Sequence, residues 1–259
     1  MNALELTRQK FVKESIDVNG VSVEIVRTRG RGQAVLMLPG AQGTAESFCH
    51  QLLAFGEDRD IIGVNYPGLD TVVAVADLLL ALLARLGVQR FDLVGTSLGG
   101  YVAQWIAASQ PRGLGRVVIG NSFMDPRPIQ APEKLAALQA KSPEELKREV
   151  VERLKGSPAS DFRSIMLDLV GLQQPATQLI GRMLLVQRAA PLEADVPPDL
   201  PLLLVECDND PLIPVAVREA IRDHYPNAER SQISGGSHYP FLLNPNDYNQ
   251  AIGAFLGLR

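Results

Sequence analysis

Cysteine and histidine are scarce in this chain of 259 residues, which has two of the first and three of the second. Cys49 and Cys207 are too few for a disulfide scaffold, and their spacing matches neither a CxxC redox motif nor a zinc motif. Both read as buried structural thiols. Long apolar runs are missing as well: no stretch reaches the roughly 18 to 20 uncharged residues that span a membrane. The opening Met1 to Lys13 interrupts its apolar residues with Glu5, Arg8, Lys10 and Lys13, which excludes a continuous signal core. The expected location is the cytoplasm. Charge of one sign is not in excess either, since 25 Lys and Arg against 29 Asp and Glu leave a formal net charge of -4. Such a balance gives no broad attraction to nucleic acid or to an anionic membrane. The expected partner is a small molecule, and the sequence carries no sign of oligomeric state.

What the chain does have is apolar content, at 46% hydrophobic residues, and a length that suits one large α/β domain with room for an insertion. From Phe11 to Thr28 two strands are expected around Asn19-Gly20, a pair that supplies the positive φ angles of a type I′ hairpin turn. Short apolar runs then alternate with helical patterns: Ala34 to Leu38, Asp60 to Asn65, Phe91 to Val94, Arg116 to Gly120, Leu200 to Glu206 and Arg230 to Ile233. That alternation predicts a mostly parallel sheet of about eight strands with helices on both faces.

Between Asn121 and about Ala190 the rhythm breaks and only helices are expected. Ser142-Pro143-Glu144-Glu145 opens one of them with an N-cap serine, a proline at the first position and a glutamate at the third, and Leu146, Val150 and Leu154 share one face. Phe162, Ile165, Met166, Leu169, Leu179, Met183 and Leu184 give later helices an apolar side. The expected organisation is a core domain of residues 1–120 and 191–259, with residues 121–190 inserted as a helical cap; ordinary helices packed on the sheet are the plainer alternative.

The strongest motif lies where Phe91-Asp92-Leu93-Val94 runs into Gly95-Thr96-Ser97-Leu98-Gly99-Gly100 and then into the helix-like Tyr101 to Ala108. A G-x-S-x-G between a strand and a helix is a nucleophile elbow, in which glycines allow a turn sharp enough to expose the serine hydroxyl. Ser97 is therefore the candidate nucleophile. A serine hydroxyl needs a base to take its proton and a third group to orient that base. Of the three histidines, His50 and His224 sit in helical patterns, whereas His238 stands in the turn Gly235-Gly236-Ser237-His238-Tyr239-Pro240. The acid is expected in the loop after the strand Leu202 to Glu206, where Asp210 is favoured for its place before the next helix, with Asp208 as a turn residue and Asp125 as an outside candidate. Two backbone N–H groups complete the set as an oxyanion hole: Leu98, next after the serine, and Ala41, in a loop that Gly40 lets approach closely.

Together these residues resemble the α/β-hydrolase fold over nearly the whole chain, and are more particularly similar to maspardin and its relatives. The shared stretches are Gly43-Thr44-Ala45, Val64-Asn65-Tyr66-Pro67, Thr96-Ser97-Leu98-Gly99-Gly100, Gly120-Asn121-Ser122-Phe123, Tyr225-Pro226-Asn227-Ala228 and Gly235 to Pro240. The elbow is widespread, whereas the Asn-Ser-Phe and Tyr-Pro-Asn-Ala stretches are more particular. In maspardins the position of His238 is not histidine and the acid loop is altered, which implies binding without hydrolysis; this chain keeps Ser97, Asp210 and His238 together. Pro39 also stands where many hydrolases have a histidine. The resulting expectation is a serine hydrolase of carboxylic esters that needs no cofactor and no metal, with Phe123, Met124, Met166 and Met183 touching a small to medium acyl or aromatic group. Other leaving groups (thioester, lactone, carbon-carbon bond, peptide amine) fit the same triad, and a maspardin-like binding protein is the alternative outside enzymes.

Overall fold

A computed structural model of the chain describes residues 1–258. Its first element is a helix, α1 (Ala3–Lys10), where the sequence reading places no element. Asn2 and Glu5 form a capping box at its start, and Leu4 and Thr7 bury its inner face. The hairpin follows as β1 (Lys13–Val18) and β2 (Val21–Arg27), with Val18 facing Val21 across the turn. Asn19 at φ 54° and Gly20 at φ 82° hold the left-handed conformations that a type I′ turn demands.

Next come β3 (Ala34–Leu38), α2 (Cys49–Phe55), β4 (Asp60–Asn65), α3 (Val72–Arg85), β5 (Phe91–Thr96), α4 (Leu98–Ala108) and β6 (Leu114–Gly120). The eight strands form one sheet in the order β1-β2-β4-β3-β5-β6-β7-β8. β1 to β2 and β2 to β4 are antiparallel, and every later pairing is parallel. Because side chains alternate across a strand, β3 serves two cores at once. Leu36 and Leu38 pack with Leu79 and Leu82 of α3 and Val102 and Ile106 of α4. Val35 and Met37 pack on the other face, in the layer that holds Leu52 of α2 and Ile252 near the C-terminus. Burial on both faces explains why β3 is apolar throughout and why β4 and β5 are mainly apolar in their middles.

From β6 to the next strand the chain is helical. A 3₁₀ turn at Arg127–Ile129 leads to α5 (Pro132–Gln139), α6 (Pro143–Lys155), α7 (Asp161–Met166) with a π-helical continuation over Leu167–Gln173, and α8 (Ala176–Arg188). Ser142 accepts from the Glu145 N–H and Glu145 accepts from the Ser142 N–H, the capping box legible in the sequence. α6 turns Leu146 and Val150 inward, whereas α8 buries Arg182 between Leu179 and Leu185. The chain returns to the sheet with β7 (Leu202–Cys207), α9 (Val215–His224), β8 (Glu229–Ile233), α10 (Pro240–Leu243) and α11 (Pro245–Leu256). Since β3, β5, β6, β7 and β8 run parallel, the loops at their carboxyl ends gather at one edge of the sheet. No helix among the described residues is long and apolar enough to cross a membrane.

Candidate active site

Ser97 sits at φ 53° and ψ -123°, a conformation that a residue with a Cβ adopts only under constraint. Its N–H donates to Gly120 O at 2.9 Å, and its carbonyl accepts from Ser122 Oγ at 2.7 Å. Close packing beneath the turn supplies the rest of the constraint. A Cβ on Gly99 would lie 2.0 Å from Leu38 O, and one on Gly95 would lie 2.3 Å from Gly99 O. The glycines therefore let helix α4 start directly against β3 and β5, which lifts the serine side chain out of the sheet edge.

The acid loop after β7 and the histidine loop after β8 are stitched together residue by residue. Asp208 accepts from Gly235 N–H at 3.1 Å, and Asn209 Oδ1 accepts from Ser237 N–H at 2.8 Å. Asp210 meets His238 Nδ1 at 2.8 Å and 3.1 Å through its two oxygens. Asn121, just after β6, donates from Nδ2 to Ser237 O at 2.8 Å and accepts from Cys207 N–H at 3.1 Å, so it ties both loops to a third strand. Asp210 Oδ1 also accepts from the N–H groups of Leu212 and Ile213 at 2.8 Å and 3.2 Å. Its side chain is fully buried and that of His238 is 6% exposed, so water does not compete for the pair. A carboxylate only accepts, which places the imidazole proton on Nδ1 and leaves the Nε2 lone pair free.

The other two aspartates stand apart from this pair. Asp208 is exposed, and its bond to the Gly235 N–H holds its carboxyl below the usual range. Asp125 pairs with Arg127 and is held low by it.

Ser97 and His238 line one cavity of about 830 Å³. Ala41, Phe123, Met166 and Met183 line it too. Met124 does not. Its side chain packs on the core instead, and its carbonyl accepts from Leu192 N–H at 3.0 Å, which turns the chain back toward β7. Leu98 has a fully buried side chain, and its contribution reduces to the N–H that opens α4. Gly40 stands beside Ser97, where an added Cβ would meet Ser97 Cβ at 3.1 Å.

Sequence reasoning missed the residues that hold the loop after β3. Arg182 of α8 is completely buried and makes no ion pair with a carboxylate among the described residues. Its Nη1 donates to Gly43 O at 2.6 Å and Gly40 O at 3.2 Å, and its Nε donates to Tyr66 O at 3.0 Å. Its Nη2 donates to Asn65 Oδ1 at 3.1 Å and to Tyr66 O, and the guanidinium lies 3.9 Å over the Tyr66 ring. Gln174 Nε2 donates to Ala41 O at 2.7 Å, and Tyr66 Oη donates to Pro39 O at 2.7 Å. One signal was available: a lone arginine among Leu179, Ile180, Met183, Leu184 and Leu185, at helical spacing on the inward face.

An eight-stranded sheet with a serine on a strained strand-to-helix turn, and an acid and a histidine on later strand ends, defines an architecture. The chain belongs to the alpha/beta hydrolase family, whose model matches residues 35–251. Human maspardin is 25% identical over 226 residues, which span 83% of this chain and 72% of maspardin. A pimeloyl-[acyl-carrier protein] methyl ester esterase of Yersinia pestis is 30% identical over 172 residues, 61% of this chain and 66% of that enzyme. Among solved structures, an esterase from Exiguobacterium antarcticum superposes with a TM-score of 0.78 at 16% identity, covering 95% of this chain and 100% of its own. A hydrolase from Pseudomonas aeruginosa gives 0.77 at 20% identity, covering 95% and 98%.

Proposed function

We propose that this protein is a serine hydrolase that cleaves carboxylic esters through an acyl-enzyme. The observation that carries the reading is the buried Asp210–His238 pair opening on the same cavity as Ser97, whose backbone is held in the left-handed region. His238 Nε2 takes the proton of Ser97 as its oxygen attacks the acyl carbon, and Asp210 stabilises the imidazolium without being protonated itself. The N–H groups of Leu98 and Ala41 receive the developing oxyanion. The imidazolium then protonates the departing alcohol, and the neutral ring activates water to release the acid.

Phe123, Met166 and Met183 present apolar surface to the cavity, which favours small to medium acyl or aromatic groups. Residues 121–190 act as the cap of this site, because α5, α6 and α8 contribute to the lining through Lys134, Leu146 and Met183. The free, buried thiols of Cys49 and Cys207 are compatible with a cytoplasmic location.

A second reading, binding without turnover, draws on the similarity to maspardin. Hydrolysis of p-nitrophenyl esters of graded acyl length, with Ser97→Ala beside the wild type, separates the two. Turnover lost in the variant, together with fluorophosphonate labelling of Ser97 in the wild type, supports the hydrolase. A folded wild type that neither turns over nor labels supports the binding protein.

A further inference from the structure

Every carbonyl along the loop after β3 that a side chain holds is held by one of three residues, and two of those come from the helical segment between β6 and β7. Tyr66 holds Pro39 O, Arg182 holds Gly40 O and Gly43 O, and Gln174 holds Ala41 O. We infer that Arg182 is a positioning residue for the oxyanion hole, orienting the Ala41 N–H through the carbonyl of Gly40; the inference rests on the hydrolase reading above.

The reason lies in the peptide unit. Gly40 C=O and Ala41 N–H belong to one planar trans amide, so fixing the direction of the oxygen fixes the hydrogen pointing the opposite way. A cation on the oxygen also polarises the amide and strengthens its N–H as a donor. In a loop whose neighbouring residue Gly40 has broad freedom in φ and ψ, rotation of that peptide would otherwise cost little. Arg182 suits the task because its fork reaches Gly40 O, Gly43 O and Tyr66 O together, which the single ammonium of lysine does not. Burial pulls its pKa down to about 10, so it remains charged at neutral pH.

The helix that carries Arg182 is brought in by a contact only glycine permits. A Cβ on Gly68 would lie 2.6 Å from the Gly181 carbonyl carbon, and one on Gly181 would lie 3.0 Å from Gly68 O. α8 can therefore lie directly on the loop after β4, with Arg182 as the next residue pointing beneath the site. The helical segment then has two roles: it covers the cavity, and it sets the electrophile-binding floor. An α8 displaced from Gly68 would leave Ser97 and His238 in place while releasing the Ala41 peptide.

The test compares Arg182→Gln and Arg182→Lys with the wild type, after thermal unfolding has shown each to be folded. For Arg182→Gln, kcat for p-nitrophenyl esters falls about 10²-fold, the scale of losing one oxyanion donor, with KM within about threefold because the donor acts mainly in the transition state. Inhibition by a boronic acid, which mimics the tetrahedral adduct, weakens in parallel. In Arg182→Lys about a tenth of the wild-type kcat is retained, as one contact of the fork survives. The Ala41 amide proton resonance moves upfield in both variants, a signature that a merely structural arginine would not give. Should Arg182→Gln not fold, the lysine variant carries the same readouts. A folded variant with wild-type kcat, or with an unmoved Ala41 resonance, overturns the inference. If the wild type shows no Ser97-dependent turnover, the hydrolase reading fails separately, and the Ala41 resonance alone decides whether Arg182 sets the peptide.

Discussion

Replacing Asp210 by Asn changes one atom and reverses the proton arrangement at the base. The carboxylate accepts from His238 Nδ1 at 2.8 Å and 3.1 Å and, through Oδ1, from the N–H groups of Leu212 and Ile213. An asparagine keeps those two backbone bonds by leaving its oxygen toward them, which puts its NH₂ against Nδ1. That nitrogen must then accept, so the ring proton moves to Nε2 and the lone pair that would deprotonate Ser97 is gone. No water relieves the mismatch, since the carboxylate side chain is fully buried. Loss of the productive tautomer in a serine triad costs about 10⁴ in kcat, roughly 5.4 kcal/mol of transition-state stabilisation at 1.36 kcal/mol per decade. Stability should change by no more than about 1 kcal/mol, because the loop's backbone bonds persist. The assay is ester kinetics with urea unfolding alongside, and Asp208→Asn as the matched control. Asp208 bonds the histidine loop's Gly235 N–H, whereas the bonds to the His238 ring are made by Asp210, so the Asp208 variant keeps turnover near the wild-type level. A folded Asp210→Asn protein with near-normal kcat would refute the reasoning.

Two further perturbations test the elbow and the fold. Gly99→Ala forces a Cβ to within 2.0 Å of Leu38 O, backbone that cannot give way, and is expected to cost about 3 kcal/mol by urea unfolding; an unfolding midpoint equal to the wild type's would contradict the packing. His50 is held below its usual 6.5 by burial, against a smaller opposing pull from Asp161. Its folded pKa lies below its unfolded one, so the unfolded chain takes the proton first as pH falls below 6.5 and stability drops there. His50→Gln removes that contribution, and the difference in unfolding midpoint between variant and wild type should shift in the variant's favour from pH 8 to pH 5.5; a difference independent of pH would show that His50 is not responsible.

Several elements were legible because their cause is local. The Asn19-Gly20 turn, the Ser142 capping box and the glycines around Ser97 each specify backbone geometry within a few residues. The strands β3, β4 and β7 were readable because a doubly covered strand must be apolar on both faces. α1 is not legible as a helix, because its inner face carries only Leu4 and the polar Thr7, which are buried by docking on α2. Of the four apolar residues expected to touch substrate, Met124 does not line the cavity: its partly buried side chain packs against the core beside α4, a placement that depends on how the chain after β6 turns.

The sequence by itself determined the sheet's strands, the serine on its elbow and the short set of partners from which a base and an acid must come, since those follow from periodicity, turn chemistry and a scarcity of histidine. Only the tertiary structure decided which aspartate meets His238, because Asp208 and Asp210 differ by two residues in a loop whose direction is set by Asn121, Asn209 and Ser237 from three parts of the chain. It alone also revealed Arg182 beneath the loop after β3. A buried cation is stable there only because carbonyls far apart in sequence, at Gly40, Gly43 and Tyr66, converge on it, and such convergence leaves no mark on any one segment.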